Sequence, residues 1–278
     1  MKVAAWDGEA DAELEQLKRL VARHTGLECG NFKDNYLRRR LAVRMRATRC
    51  AGYSEYFRHM LENPEECGLL LDDITINVTH FFRDKEVFRL LEERVLPTLV
   101  YDKVVRGRKI IRLWSAGCAS GEEAYSLAML LSHVLGDRAG DYIVSVHGTD
   151  IDRQCLEHAR QGEYQPRQVE NVPPDMLEEY FEHSGGIFKV REKIREITKF
   201  TLQDLFSGFR TGHYDLISCR NVMIYFSRQM QQRLFSNFHD ALNDRGYLVI
   251  GKTETLLEPA RARFATVDVR ERVFQKAR

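Results

Sequence analysis

The sequence predicts an α/β domain built on a mostly parallel sheet, preceded by an all-helical segment. Three observations lead there. The apolar run Ile110-Ile111-Arg112-Leu113-Trp114 is of strand type and ends on a glycine-bearing loop, after which Ala124, Leu127, Ala128, Leu131 and Leu135 recur at helical spacing. A second run, Tyr142-Ile143-Val144-Ser145-Val146-His147, closes on Gly148-Thr149-Asp150-Ile151-Asp152. Residues 1 to about 75 carry helical periodicity without strand alternation. With 278 residues the chain can bury a sizeable core, as one large or two modest domains.

In chain order, residues 13–23 form an amphipathic helix with Leu14, Leu17 and Val21 on one side. Residues 33–49 form the next, with Leu37, Leu41 and Met45 on one face. From Lys33 to His59, eight Lys/Arg stand against Asp34 and Glu55, a local balance of +6. Arg40 and Arg44 lie together, and Arg39 and Arg46 are one heptad apart; the run reads either as a solvated face or as a docking surface for an acidic partner. Residues 85–105 predict a connecting helix interrupted at Pro97. Later strands are expected at 199–202, 214–219 and 246–250, and the runs 264–269 and 272–275 are expected to pair antiparallel. Between Gly162 and Ile197 lies an insertion with a short helix at 175–183, a turn at Ser184-Gly185-Gly186 and a hairpin spanning 187–198.

The loop Ser115-Ala116-Gly117-Cys118-Ala119-Ser120-Gly121 sits at a strand-to-helix junction, where open α/β sheets bind nucleotide-like ligands. Its Gly-x-x-x-Gly spacing is not the dinucleotide fingerprint, and no Lys-Ser or Lys-Thr pair follows to make a P-loop. Two glycines let the backbone bend and keep side chains away from a bulky ligand. Glu122 and Glu123 at the helix start would repel a pyrophosphate. A cationic or neutral ligand with ribose hydroxyls suits the site better, and S-adenosylmethionine is such a ligand. Asp150, at the end of the second strand, is placed to accept from both ribose hydroxyls. A glycine turn without ligand, and Asp152 as a plain helix cap, are the bland readings of the same residues.

Composition excludes several classes. A net charge of +1 gives no global signature of nucleic-acid binding. No apolar run approaches the ~20 residues that span a bilayer, and the acidic N-terminal sequence does not resemble a secretory signal. Six cysteines without a C-x-x-C pair read as reduced thiols of a cytosolic protein. Nine histidines without H-x-x-x-H spacing predict no metal site.

Two further segments mix polar with large apolar residues, as a ligand pocket does: Ile76-Asn77-Val78-Thr79-His80-Phe81-Phe82-Arg83-Asp84 and Cys219-Arg220-Asn221-Val222-Met223-Ile224-Tyr225-Phe226. With the glycine loop and the Thr149-Asp150-Ile151-Asp152 segment, they closely resemble the CheR family, S-adenosylmethionine-dependent methyltransferases that esterify glutamates on bacterial chemotaxis receptors. The resemblance covers the whole chain. It implies a mostly parallel class I (Rossmann-like) methyltransferase sheet with a small antiparallel β insertion, behind an all-helical N-terminal domain. It divides the chain into a helical receptor-docking domain (1–75), a linker helix contributing to the cofactor site (76–106) and a methyltransferase domain (107–278) with its β subdomain at 162–198.

The resemblance also implies roles. Asn77, Thr79 and Arg83 line the cofactor site from the linker side, and Gly117 belongs to the cofactor loop. Glu122 and Asp150 contact the methionyl and adenosine parts. Asp204 and Leu205 stand near adenine, where the family more often has Asn-Leu; Asp204 still accepts from the adenine amino group but cannot donate. Asn221 and Val222 complete the pocket. Arg83 and Tyr225 stand closest to the transferred methyl as catalytic residues. The product is S-adenosylhomocysteine. The partners implied are cytoplasmic domains of chemotaxis receptors, which are acid-rich helices, so Arg39, Arg40, Arg44 and Arg46 become candidate substrate-docking residues. No nucleic acid, no metal and no direct membrane insertion are expected, and the protein is expected to be a cytoplasmic monomer. In some members the β insertion binds a receptor C-terminal peptide; here a hairpin that only closes the cleft is an equal reading. Two rival functions stay open on the sequence: methylation of nucleic acid or a small molecule, although no Asp/Asn-Pro-Pro-aromatic run follows the fourth strand, and a cofactor-binding adaptor without turnover.

Overall fold

The computed structural model describes residues 6–75, 77–206 and 213–277, with side chains from residue 11 onward. Ile76, which opens one of the motifs, lies outside the described residues. The chain divides into two compact units, Met1–Ile76 with Tyr225–Met230, and Asn77–Ile224 with Gln231–Arg278.

The first unit is helical: α1 (Trp6–Thr25), α2 (Asp34–Thr48), α3 (Tyr53–Glu62) and α4 (Glu66–Ile74). Its core follows the i, i+3, i+4 pattern, with Leu14, Leu17 and Val21 buried on α1, Leu37 and Leu41 on α2, Tyr56 and Met60 on α3, and Leu70 and Ile74 on α4. Met45, placed on that face by spacing, is only half-buried. Helix α2 ends where Arg49 takes a left-handed conformation (φ 61°) and its N–H returns to the Met45 and Arg46 carbonyls. The segment Tyr225–Met230 is stitched into this unit. The Lys33 amide donates to the Tyr225 carbonyl (2.9 Å), Ser227 donates to Asn31 (2.9 Å), and the Phe32 and Phe226 rings meet at 5.1 Å.

In the second unit, α5 (Lys85–Leu90) passes through a π-helical turn, Leu91–Val95, into α6 (Leu96–Val105) without the break expected at Pro97. Proline falls at the first turn of α6, where its missing N–H costs least. The wider π turn just before it accommodates the ring that would clash with an α-helical carbonyl. Phe81, Phe82, Val87, Phe88, Leu91 and Leu96 all enter the sheet unit's core.

The remaining elements, in order, are β1 (Ile110–Ala116), α7 (Glu122–Leu135), β2 (Ile143–Asp150), α8 (Arg153–Gln161), β3 (Glu163–Tyr164), α9 (Pro166–Val169), α10 (Pro174–Tyr180), β4 (Phe181–Ser184), β5 (Ile187–Val190), α11 (Glu192–Ile197), β6 (Thr198–Leu202), β7 (Tyr214–Cys219), α12 (Arg228–Ala241), β8 (Leu242–Ile250), β9 (Phe264–Asp268) and β10 (Val273–Lys276). Seven strands form one sheet in the order β6-β2-β1-β7-β8-β10-β9. β10 runs antiparallel to both neighbours, and the pairs β1–β2, β1–β7, β2–β6 and β7–β8 are parallel. Ile111, Leu113, Trp114 and Ala116 are buried on both faces of β1, as a central parallel strand requires. Strand order reverses at β1, with β2 and β6 to one side and β7 and β8 to the other, so the ligand crevice of such a sheet lies outside the carboxyl ends of these strands.

The insertion forms its own antiparallel sheet, β3-β5-β4. The hairpin expected at 187–198 instead spans β4 and β5, turning on Gly185 and Gly186, both at positive φ (60° and 79°) as a tight two-residue hairpin turn demands. Residues 192–197 are helical, because Ile194 and Ile197 recur at helical spacing and Ile194 is buried. β8 starts four residues earlier than the apolar run 246–250 suggests. The polar Asn243-Asp244-Arg245 stretch hides it, and the pairing with β7 slips in register there.

A candidate cofactor site at the carboxyl edge of the sheet

The glycine loop leaves β1 at Ala116 and is tied to β2. The amides of Gly117 and Cys118 both donate to the Thr149 carbonyl, at 2.8 and 3.0 Å. Asp150 follows, 8% exposed, and its two oxygens accept from the Ala119 amide (2.8 Å) and the Asp152 amide (3.0 Å). Burial raises its pKa above the ordinary carboxylate value, and these two backbone donors pull it back. Asp152 does cap α8, accepting from the Cys155 amide (3.0 Å), but its other oxygen accepts from Asn77 Nδ2 at 2.6 Å, which fastens the linker stretch to the end of β2. Gln203, next to Asp204, donates its amide to the Asp150 carbonyl (2.8 Å), so the end of β6 joins the same edge. Asp204 itself accepts from the Phe206 amide (2.9 Å), and Leu205 is buried.

The two glycines act differently from the sequence-based expectation. Both take positive φ, 79° at Gly117 and 94° at Gly121, but neither keeps space open for a ligand. A Cβ on Gly117 would lie 2.6 Å from Val222 Cγ2, and one on Gly121 would lie 2.8 Å from Ala159 Cβ. Protein already fills both positions, and the contact at Gly117 is what brings Val222 and Asn221, after β7, against the loop. Asn221 is itself left-handed (φ 62°), and its Oδ1 is buried without a hydrogen-bond partner.

Glu122 is fully buried at the start of α7 and accepts from Ser120 Oγ (2.7 Å) and Gln168 Nε2 (2.8 Å). Burial raises its pKa, against the pull of those two hydrogen bonds. Its neighbour Glu123 meets a cation instead, Arg220 Nη1 at 3.2 Å. A buried carboxylate held by neutral donors is costly unless an opposite charge arrives. Together with the orphaned Asn221 acceptor and the buried Asp150 at a strand end, this acceptor set fits a ligand carrying positive charge, a polar N–H group and ribose hydroxyls.

The linker residues sit as follows. Thr79 is half-buried, and Arg83, half-buried, donates Nη1 to the Val78 carbonyl (2.8 Å). Its neighbour Asp84 pairs with Arg220, whose Nη2 also donates to the Arg83 carbonyl (2.9 Å). Four of the seven non-glycine residues at positive φ among those described (Phe82, Asp84, Ala119 and Asn221) lie in these site segments. Each such conformation costs on the order of 1–3 kcal/mol and persists only where neighbours enforce it. Ser126 Oγ accepts from the Phe82 amide (3.0 Å), Arg220 holds Asp84, and Asp150 holds Ala119.

Sequence reasoning missed three supporting residues. Glu254, 4% exposed, accepts from the Met223 amide (2.8 Å) and the Gly251 amide (2.6 Å), and so holds the loop after β7. Gln168, and Arg220 within the segment 219–226, receive no individual role from the sequence either. An Arg beside Asn221 and a Glu beyond β8 were visible as residues, but only the fold brings them here.

Tyr225 lies in the helical unit, its ring 4.7 Å from that of Tyr36. The four candidate docking arginines of α2 separate into different environments. Arg39 and Arg46 are exposed, Arg40 lies over the Tyr36 ring (5.2 Å to the centroid), and Arg44 is turned to Glu66 in a two-bond pair, 2.8 Å each, with Tyr56 OH on the same carboxylate (2.7 Å). The charge of Arg44 is thereby matched inside the helical unit.

Among the described residues no helix is long and apolar enough to cross a membrane, and no group of His, Cys, Asp and Glu could hold a metal ion.

The SAM-binding domain model of the CheR methyltransferases matches residues 77–273, and the all-alpha domain model of the same family matches residues 12–75. A chemotaxis protein methyltransferase of Listeria monocytogenes is 35% identical over 254 residues, covering 90% of this chain and 92% of that protein. One from Escherichia coli is 31% identical, covering 88% and 85%. Among solved structures, a TehB-like SAM-dependent methyltransferase from Corynebacterium glutamicum is similar at 16% identity and a TM-score of 0.37, covering 65% of this chain and 96% of that one. The chain is a methyltransferase with an S-adenosylmethionine-binding domain, and it belongs to the CheR family.

Proposed function

We propose that the protein is a cytoplasmic protein-glutamate O-methyltransferase, forming methyl esters on helices of chemotaxis receptors and releasing S-adenosylhomocysteine. The observation that carries the reading is the pair of buried carboxylates, Glu122 and Asp150, at one edge of a sheet whose sequence matches the CheR SAM-binding model. The relatives named as chemotaxis protein methyltransferases support the receptor as acceptor. S-adenosylmethionine, when bound, supplies an electrophilic methyl on a positively charged sulfur.

The residues divide the work. Asp150 accepts from the ribose hydroxyls, and Glu122 meets the positive charge of the methionyl portion. Asn77, Thr79 and Gly117 line the pocket, Asp204 and Leu205 flank the adenine, and Asn221 and Val222 close it. Arg83 holds the incoming carboxylate by a charged hydrogen bond, loosely enough that the ground state is not favoured over the transition state. Tyr225 orients the acceptor. A glutamate is ionised at neutral pH, its ordinary pKa being ~4.3, so no base is required and catalysis is largely positioning. Arg39, Arg40 and Arg46 guide the acid-rich receptor helix to the helical domain, with Arg44 the least available of the four because Glu66 holds it.

The test mixes protein, methyl-labelled S-adenosylmethionine and receptor cytoplasmic fragments, then applies mild base. Label transferred to the receptor and released by base identifies a methyl ester. Base-stable label would show methylation of nitrogen or an ether oxygen and overturn the glutamate assignment, and no transfer would leave only donor binding. Arg83→Ala is expected to keep donor binding and remove most turnover.

A further inference from the structure

The insertion at 162–198 carries two bonds into the cofactor loop. Tyr164 OH, fully buried, donates to the Ser120 carbonyl at 2.7 Å. Gln168 Nε2 donates to Glu122 Oε1 at 2.8 Å. Gln168 is placed for this by its own backbone and side chain. Its Oε1 accepts from the Gln165 amide (3.0 Å) in a capping box that opens α9, and its carbonyl accepts from the Phe81 amide (3.3 Å). One residue of the insertion therefore touches the start of α7, the linker stretch that carries Arg83, and its own helix cap. The fixed side-chain amide leaves its N–H₂ only one orientation, donor toward Glu122.

From this geometry we infer that Gln168 is a positioning residue for donor binding: it holds the Glu122 carboxylate in a single rotamer, and so couples the β insertion to the cofactor site. The inference rests on the donor-binding role of Glu122 proposed above. Ser120 Oγ is the other side-chain donor on Glu122, and it lies in the same loop that Tyr164 holds, so both donors depend on the insertion's first turn. Burial acts against ionisation of Glu122, and Gln168 is one of the groups that restore it. Hydrogen bonds to ionised groups are stronger than neutral ones, enough that losing one weakens binding about tenfold or more.

The experiment titrates S-adenosylmethionine into full-length protein by calorimetry between pH 6 and 9. The proteins compared are wild type, Gln168→Met, Gln168→Glu, Glu122→Gln, and the Gln168→Met/Glu122→Gln double variant. Lys189→Ala, which removes the surface pair with Glu163 in the same insertion, serves as control. Gln168 is half-buried and Met is close to it in shape, so thermal unfolding should show the single variant folded. The expected result is a roughly tenfold weaker Kd for Gln168→Met, a larger loss for Gln168→Glu, and no change for Lys189→Ala. Because Gln168→Met removes a group that lowers the Glu122 pKa, the pH below which donor binding is lost should move upward. In the Glu122→Gln background the same change should have little further effect. Wild-type affinity and an unmoved pH profile in both Gln168 variants would overturn the inference while leaving the donor site standing. A wild-type protein that binds no donor would overturn the reading beneath it. If Gln168→Met does not fold, equal affinity of Gln168→Glu and wild type is by itself sufficient refutation.

Discussion

Asp150 offers the sharpest quantitative test of the site. Replacing it with Asn keeps the size but changes one acceptor oxygen into a donor. In the structure both oxygens face backbone N–H groups, those of Ala119 and Asp152, so either orientation of the amide sets a donor against a donor. One of the two amides loses its acceptor in a site that is 8% exposed, which costs about 1–3 kcal/mol. Against this stands the removal of a buried charge that burial already disfavours. The two effects oppose each other, so stability should fall by no more than about 2 kcal/mol, a shift of several degrees in Tm. Donor binding has no such offset. Two hydroxyl hydrogen bonds to an ionised acceptor, each about 1.5–3 kcal/mol, weaken to neutral ones or vanish, so the Kd for S-adenosylmethionine should rise about 100-fold. Ala119, held at φ 45° by the same carboxylate, is released as well and adds to the loss. Calorimetric titration gives the Kd, and thermal unfolding separates it from damage to the fold. An Asp150→Asn protein that binds the donor within about threefold of wild type would remove the ribose assignment.

Three further outcomes follow from the same structure. Gly117→Ala places a Cβ 2.6 Å from Val222 Cγ2 at φ 79°, so it should cost about 2–4 kcal/mol in urea unfolding, and donor affinity should drop as Val222 and Asn221 are displaced. Glu66→Ala leaves Arg44 and Tyr56 without their shared acceptor, for a loss of about 2–4 kcal/mol after allowing for the partial exposure of Arg44, with donor affinity unchanged. Burial opposes ionisation of Glu66, but the Arg44 and Tyr56 hydrogen bonds prevail and hold its pKa low, so this contribution is present near neutrality and fades only as pH falls through that lowered value. Reversing Arg39 and Arg46 to Glu should raise KM for receptor fragments about tenfold at low salt and less at high salt, with Kd for S-adenosylmethionine unchanged; equal loss of both would point to misfolding.

The sheet and its motifs were legible because they depend on local pattern. β7 spans 214–219 as read, and the β1-loop-α7 junction follows from an apolar run, two glycines and helical spacing within about thirty residues. The failures are of a different kind. Pro97 predicts a break because proline clashes in an α-helix, yet a π turn removes the clash, and no sequence rule signals a π turn. The hairpin was shifted because Glu192–Ile197, rich in β-branched Ile, looks like a strand until its 3.6-residue spacing is allowed to decide. Spacing puts Arg40 and Arg44 together as candidate docking residues, whereas Arg44 finds Glu66 across 22 residues, a pairing that only the packing of α2 on α4 creates. For the same reason Gln168, Arg220 and Glu254 could not be found by spacing: their partners, Glu122, Asp84 and Gly251, belong to other elements in all but one case. Recurrent motifs point to candidate ligand residues more readily than to the residues that hold them in place.

The burial of Glu122 has a consequence for stability. Its carboxylate is fully buried, with Ser120 and Gln168 as side-chain donors and no cation on either bond. Its pKa is therefore raised, and the folded protein binds a proton more readily than the unfolded chain does. By linkage, such a group destabilises the fold increasingly as pH rises from the ordinary carboxylate value through the raised one. Glu122→Gln removes the charge while its amide oxygen still accepts from Gln168 and its amide nitrogen can donate to Ser120 Oγ. The donor-free variant should thus unfold at a higher temperature than wild type near neutrality, and the difference should shrink as pH falls. With saturating S-adenosylmethionine the order should reverse, because the wild type gains more from a ligand it binds more tightly. A Glu122→Gln protein that is less stable than wild type without donor would mean that the carboxylate is compensated inside the protein and that its burial is not reserved for a cationic ligand.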